Sequence, residues 1–142
     1  GLKWRARKMS NGNMAEVPPV VFGGVPGAGA VAAGNTVIFD TVQDDTHSIY
    51  NATTGEFIIP LSGIYSISCN LQADSSGTLY TYLYVNGAQD RVFQTTIMDA
   101  ADRAVLTLYR KLYQGDVIKI YASNGAVRAS SASYCTVVRI GS

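Results

Sequence analysis

The chain has 142 residues, enough for one domain with a hydrophobic core of its own. Apolar residues make up 47% of it and charged residues only 15%, so uncharged polar side chains must cover much of the surface. The net charge is +1, but the basic excess lies in residues 1–16. The near-neutral remainder excludes the basic stripe that nucleic-acid binding needs, and no apolar run is long enough for membrane insertion.

The elements predicted along the chain are short strands, because β-branched and aromatic residues recur in runs between Gly, Asn, Asp and Ser clusters. Residues 1–16 are predicted to be a basic tail or the end of a stalk, and residues 17–142 the folded domain. Residues 23–34 are expected to form a flexible loop, and Met98–Leu108 a loop that runs into a strand. The predicted strands are Val17–Phe22, Thr36–Val42, Ser48–Tyr50, Glu56–Pro60, Ile64–Leu71, Leu79–Val85, Val92–Thr96, Ala104–Leu112, Val117–Ala122 and Tyr134–Ile140.

Alternation of residue types assigns the faces of two of these strands. In Ile64–Leu71, apolar and polar residues alternate, which is typical of a strand with one buried side. In Leu79–Val85, aliphatic residues and Thr share one face, and Tyr80, Tyr82 and Tyr84 share the other. We expect the tyrosines to point outward in a row. Such a row indicates either a contact between subunits or a ligand surface, and we interpret these three as the candidate ligand-binding residues.

The residues with acid, base or metal-ligand chemistry form no recognisable catalytic set. The single histidine, His47, is a candidate general base, but no activated nucleophile accompanies it, so we interpret it as a polar loop residue and predict no enzymatic activity. No cofactor is predicted; calcium is the alternative, because carboxylates are ligands that it prefers. The carboxylates in predicted loops are Asp44, Asp45, Asp74, Asp99 and Asp102.

Several motifs in chain order resemble the globular heads of complement component 1, subcomponent q (C1q). They are Phe39-Asp40, the segment from Tyr50 to Phe57 with its Gly-Glu-Phe ending, Pro60-Leu61-Ser62-Gly63-Ile64-Tyr65, Asn86-Gly87, and the segment from Leu112 to Ile118. The tumour necrosis factor (TNF) superfamily shares that fold. The resemblance implies an all-β jelly-roll β-sandwich of about ten antiparallel strands that assembles as a homotrimer.

Two positions depart from the family pattern. Arg110 stands where the family prefers Leu, so either a bulge turns it outward or it must be paired. Thr136 replaces a Gly of the last strand. The family's strand order makes the strands of Cys69 and Cys135 neighbours; neither cysteine has the spacing of a zinc site, and we expect two buried free thiols that act as small apolar groups.

The function that these observations favour is a non-enzymatic, trimeric binding head on an extracellular or virion surface. Because the chain starts at Gly1 without Met, we expect a fragment of a longer protein. The absence of a collagen repeat and of evident structural disulfides favours a fibre over a secreted protein. We interpret the head as the receptor-binding C-terminal domain of a phage tail fibre or bacterial surface fibre that recognises a cell-surface glycan. The alternatives are a secreted complement- or cytokine-like recognition protein, with a protein receptor, and a structural trimerisation cap without ligand.

Overall fold

The computed structural model describes residues 19–26, 34–130 and 132–142. Residues 1–16, and most of the loop predicted at 23–34, lie outside the described residues, so the domain boundary at residue 17 stays a prediction. The described residues contain no helix, and their strands are β1 Val21–Val25, β2 Asn35–Thr36, β3 Thr41–Asp45, β4 Tyr50–Asn51, β5 Glu56–Ile58, β6 Gly63–Gln72, β7 Gly77–Val85, β8 Ala88–Ile97, β9 Arg103–Leu112, β10 Val117–Ser123 and β11 Tyr134–Gly141.

The strands form two sheets whose neighbours are all antiparallel. One sheet has five strands in the order β3-β1-β11-β6-β9. The other has six strands: five follow the order β4-β5-β10-β7-β8, and the sixth, β2, pairs with β10 outside this order. The core lies between the sheets, because the inward side chains of both are buried, as the alternation in β6 shows. The all-β jelly-roll sandwich predicted from the sequence is confirmed.

Aromatic side chains fill the core where β1 crosses β4 and β5. The ring of Phe22 lies 4.7 Å from that of Tyr50 and 4.8 Å from that of Phe57. The backbone N–H of Phe39 donates to the Tyr50 hydroxyl at 2.7 Å, which satisfies the one polar atom of this cluster. Burial raises the pKa of Tyr50 far above its usual value.

The prediction of one continuous strand over Thr36–Val42 is wrong, because the chain changes sheets within it. β2 pairs with β10 in one sheet, whereas β3 pairs with β1 in the other. Val37 and Phe39, in the link between them, are completely buried. Their apolar side chains produced the strand-like pattern, although they fill the core at the crossing instead of continuing a ladder.

The first strand also differs from its prediction. β1 starts at Val21 and runs through Gly23 and Gly24, which were expected to belong to the loop. A Cβ at Gly24 would lie 2.9 Å from the Phe22 ring, so only glycine allows this close approach, and the register with β3 shifts at the same place. The glycines here therefore belong to a strand that packs tightly.

The hairpin between β7 and β8 has the predicted turn. Asn86 and Gly87 both have positive φ, 51° and 81°, as a two-residue hairpin of the favoured type requires. A register shift in β8 leaves Asp90 opposite no residue of β7, and this carboxylate binds Arg110 through Nε at 3.1 Å and Nη2 at 3.2 Å. Arg110 is thus paired, which was one of the two outcomes that its position required.

Cys69 and Cys135 are both buried, as predicted, and their sulfurs are not bonded to each other in this structure. Strand alternation places Arg139 on the same face as Cys135, so an inward Cys135 would be expected to turn Arg139 inward as well. The register between β6 and β11 shifts after Arg139, and its guanidinium donates to the carbonyl oxygen of Ser62 through Nε at 3.0 Å and Nη2 at 2.9 Å. The Arg139 guanidinium thus ends at a solvent-exposed backbone acceptor, although Arg139 still pairs with Tyr65 before the shift.

Candidate recognition surface

The three tyrosines of β7 lie on the outer face of the six-stranded sheet. Leu79 and Leu83 on the same strand are buried in the core, so alternation turns Tyr80, Tyr82 and Tyr84 outward, as predicted. The tyrosines are only half-buried, and each ring packs on the next: the ring centroids of Tyr80 and Tyr82 are 6.4 Å apart and those of Tyr82 and Tyr84 are 6.0 Å apart. Their role in ligand binding stays a prediction.

A fourth ring, which the sequence analysis missed, completes this cluster. Tyr121 on β10 is the cross-strand partner of Tyr82, and its ring lies 5.8 Å from that of Tyr82 and 5.3 Å from that of Tyr84. The alternation within Val117–Ser123 predicts that Tyr121 shares a face with Lys119. The alternation does not predict that β10 pairs with β7, because this pairing joins residues far apart in the sequence. We call Tyr80, Tyr82, Tyr84 and Tyr121 the tyrosine face.

Hydrogen bonds fix two of the four rings. The hydroxyl of Tyr82 is 2.9 Å from the hydroxyl of Ser123, and the hydroxyl of Tyr121 donates to the carbonyl oxygen of Gly34 at 2.7 Å. The ammonium of Lys119 lies 5.3 Å from the centroid of the Tyr84 ring and 6.0 Å from that of Tyr121, within the range of a cation–π interaction. The face is thus preorganised by contacts within one chain.

The strand β8 adds uncharged polar groups to one side of the tyrosine face. Gln94 pairs with Tyr80, and Gln89 pairs with Tyr84 across the sheet. Between them Val92, opposite Tyr82, keeps 47% of its surface exposed. Aromatic rings, amides and one aliphatic side chain therefore form a continuous, uncharged surface, bordered by Lys119 on the β10 side.

The outer face of the five-stranded sheet has a different character. Val105, Tyr109 and Tyr134 expose 52%, 68% and 40% of their surfaces, and we call them the apolar face. Val105 and Tyr134 lie on either side of Asn70 in the β9-β6-β11 register. The Oδ1 atom of Asn70 is buried and has no hydrogen-bond partner among the described residues. Such an acceptor is costly unless something else supplies a donor.

The acidic loops and His47 have structural partners. Asp45 accepts the backbone N–H of Ile49 at 2.8 Å and of Tyr50 at 3.0 Å, and the Nδ1 atom of His47 is 2.9 Å from the hydroxyl of Thr46. Asp74 pairs with Arg128 at 3.4 Å. Nowhere in the described ranges do three or more His, Cys, Asp or Glu side chains converge as metal ligands would. The described part of the chain also holds no helix that could traverse a bilayer.

Solved structures with this architecture come from distantly related animals. The globular domain of zebrafish complement 1qA protein aligns over 85% of this chain and 95% of its own, with 16% identity and a TM-score of 0.66. The TNF Eiger from S. frugiperda aligns over 88% and 94%, with 14% identity and a TM-score of 0.66. Murine APRIL at pH 5.0 aligns over 87% and 100%, with 16% identity and a TM-score of 0.69. At these identities the likeness shows the shared fold.

Sequence comparison identifies the family. No curated protein sequence matches the chain. The family model of the C1q domain matches residues 27–137, which span most of the chain and include both β7 and β10 of the tyrosine face. The resemblance inferred from the short motifs is thereby confirmed, and the chain belongs to the C1q domain family.

Proposed function

We propose that the protein is a homotrimeric, non-enzymatic recognition head whose apolar face joins the subunits and whose tyrosine face binds a cell-surface glycan. The observation that carries this proposal is the contrast between the two outer faces. One is already packed within the chain. The other exposes large apolar side chains beside a buried acceptor that has no partner in the described part of the chain. The apolar face therefore needs a partner chain to cover it, whereas the rings of the tyrosine face are already held in place for binding.

The apolar face has the features of a subunit interface. Tyr109 is the most exposed tyrosine of the described residues, and neither it nor Tyr134 packs against another ring there. Between them β6 contributes the small side chains Ser66 and Ser68, which let another chain approach closely. A closed threefold assembly would bury the surface and bring a donor to Asn70. We expect a total buried area above about 2,000 Å², as in obligate assemblies.

The tyrosine face has the features of a weak sugar-binding site. A tyrosine ring covers the apolar face of a pyranose and loses little conformational entropy on binding, since its rotation is already restricted here. The amides of Gln89 and Gln94 can donate to and accept from sugar hydroxyls without a charge. A single site of this kind is expected to bind in the millimolar to micromolar range, about 10² weaker than three sites engaged together on one surface.

The experiment that tests the proposal is the Tyr82→Ala variant, examined for assembly by light scattering and for binding on an array of immobilised cell-surface glycans. We expect an intact trimer with lost glycan binding. Tyr113→Ala is the matched control, because Tyr113 is 58% exposed, lies in the turn after β9 and is not one of the rings that pack together in the tyrosine face. Dissociation of the Tyr82 variant would make the tyrosine face a subunit contact. Binding that survives alanine at Tyr80, Tyr82 and Tyr84 together would refute the glycan site.

The absence of enzymatic activity has its own test. His47→Ala should leave both trimer and glycan binding unchanged, because the only described side-chain contact of His47 is with its neighbour Thr46. Loss of function in an intact trimer would show that the histidine has a role that its contacts do not suggest.

The setting of the head at the tip of a phage or bacterial surface fibre stays a prediction, and so does its location outside the cell. The residues encoded upstream of Gly1 test both. A coiled-coil or β-fibre stalk is expected for a fibre, and a signal peptide for a secreted recognition protein.

A further inference from the structure

The two cysteines meet in the centre of the five-stranded sheet. Cys69 on β6 and Cys135 on β11 are direct cross-strand partners, both completely buried, and their Sγ atoms are 3.0 Å apart. Opposed residues of an antiparallel pair have Cα atoms about 4.5–5.5 Å apart, which lies within the span of about 4.4–6.8 Å that a disulfide needs. The sulfurs need to approach by only about 1 Å to reach bonding distance, so the backbone can keep its register.

We propose that Cys69 and Cys135 are a cross-linking site that forms a disulfide when the chain folds in an oxidising compartment. The two thiols lose two protons and two electrons as the Sγ–Sγ bond forms. A disulfide oxidant, either a low-molecular-weight one such as oxidised glutathione or the active site of a disulfide oxidoreductase, accepts both and becomes two thiols. The reaction proceeds through a mixed disulfide with one cysteine, which the second cysteine then resolves.

The position of the pair in the chain explains what the bond would do. The cysteines are 66 residues apart in the sequence. The loop that a bond between them would close contains β7, β8, β9 and β10, and with them the whole tyrosine face. β11 is the last strand and fills the place between β1 and β6. A bond to β6 would therefore hold the last strand in the centre of the sheet and restrict the unfolded chain through a long loop.

Burial determines when the bond can form. Neither sulfur is accessible to an oxidant in the folded chain. Burial raises the pKa of the Cys135 thiol well above its usual value, and the hydrogen bond with Cys69 adds to this effect. The reactive thiolate is therefore scarce. The bond should therefore form during folding or local opening of β11, and it should be protected from reductants afterwards.

The experiment uses the wild-type chain, produced once in a reducing cytoplasm and once through an oxidising periplasm. Each preparation is unfolded in the presence of an alkylating reagent, and its intact mass is measured. We expect the cytoplasmic protein to take up two alkyl groups. The periplasmic protein should take up none and should weigh two hydrogen atoms less. Two alkylatable thiols in folded periplasmic protein, or a disulfide between two chains, would overturn the proposal.

A second experiment asks whether the bond fits the native fold. The cytoplasmic protein is held with oxidised glutathione in a urea concentration that allows local opening, and then returned to buffer. The cross-linked form should melt about 10 °C higher than the reduced form. Cys69→Ala and Cys135→Ala are the controls, because each retains one thiol and should melt alike with and without the oxidant. A cross-linked form that melts below the reduced form, or single variants that gain the same stability, would overturn the proposal.

Discussion

The outer faces of the two sheets both carry aromatic rings, but the rings pack against one another on only one of these faces. On the tyrosine face, four rings lie within 5.3–6.4 Å of their neighbours and bury much of one another's surface. On the apolar face, Tyr109 and Tyr134 are separated by the small side chains of β6 and remain open to solvent. Rings that pack against one another are held in place within one chain, so they form a rigid surface that can bind a ligand. Separated rings leave apolar area exposed to solvent, which is characteristic of a surface that another chain covers.

The largest expected effect comes from a charge on the apolar face. Tyr109→Asp should dissociate the trimer, raising its dissociation constant by at least about 100-fold, because an aspartate in the interface would be desolvated without a partner. Light scattering over a range of protein concentrations measures this. Tyr113→Asp is the control, since it adds the same charge to an exposed tyrosine in a turn. A Tyr109→Asp variant that stays trimeric would show that the subunits meet elsewhere.

The second effect concerns the ring that the sequence analysis missed. Tyr121→Ala should weaken glycan binding by about tenfold or more, because the Tyr82 and Tyr84 rings lose the neighbour that holds them. Tyr121→Phe keeps the ring and removes only the hydroxyl that binds Gly34, so its binding should stay within about threefold of the wild type. Titration calorimetry of the trimeric variants would separate the two. Equal losses in both would assign the effect to the hydroxyl.

Local patterns in the sequence predicted three of the four rings of the tyrosine face and could not predict the fourth. The alternation in β7 and the Asn86-Gly87 turn are properties of consecutive residues, and both are confirmed. Tyr121 joins the cluster because β10 lies beside β7, which depends on how the whole chain winds through two sheets. The same limit explains why the predicted strand at Thr36–Val42 is wrong, since burial of Val37 at a crossing resembles burial in a strand.

A third effect, a gain of stability, lies beneath the tyrosine face. Thr81 alternates with the tyrosines and faces the core, where it is completely buried and its Oγ1 has no hydrogen-bond partner among the described residues. Thr81→Val replaces the hydroxyl by a methyl group of similar size and should raise the free energy of unfolding by about 1 kcal/mol. Urea denaturation measures the gain, with glycan binding as the control that should not change. A less stable variant would show that the hydroxyl has a partner in solution.

The smallest expected effect distinguishes an uncharged ligand from an acidic one on the tyrosine face. Lys119 lies over the rings of Tyr84 and Tyr121, and a positive charge there would also attract a carboxylate sugar. If the lysine acts only by packing on the rings, Lys119→Met should change glycan affinity by less than about fivefold, since a cation–π contact at a solvent-exposed site contributes about 0.5–1 kcal/mol. Wild-type binding should then differ little between about 0.05 M and 0.5 M salt, a range over which screening removes most of the attraction between exposed charges. Binding that falls steeply with salt in the wild type, but not in Lys119→Met, would instead identify the ligand as an acidic glycan held by this lysine.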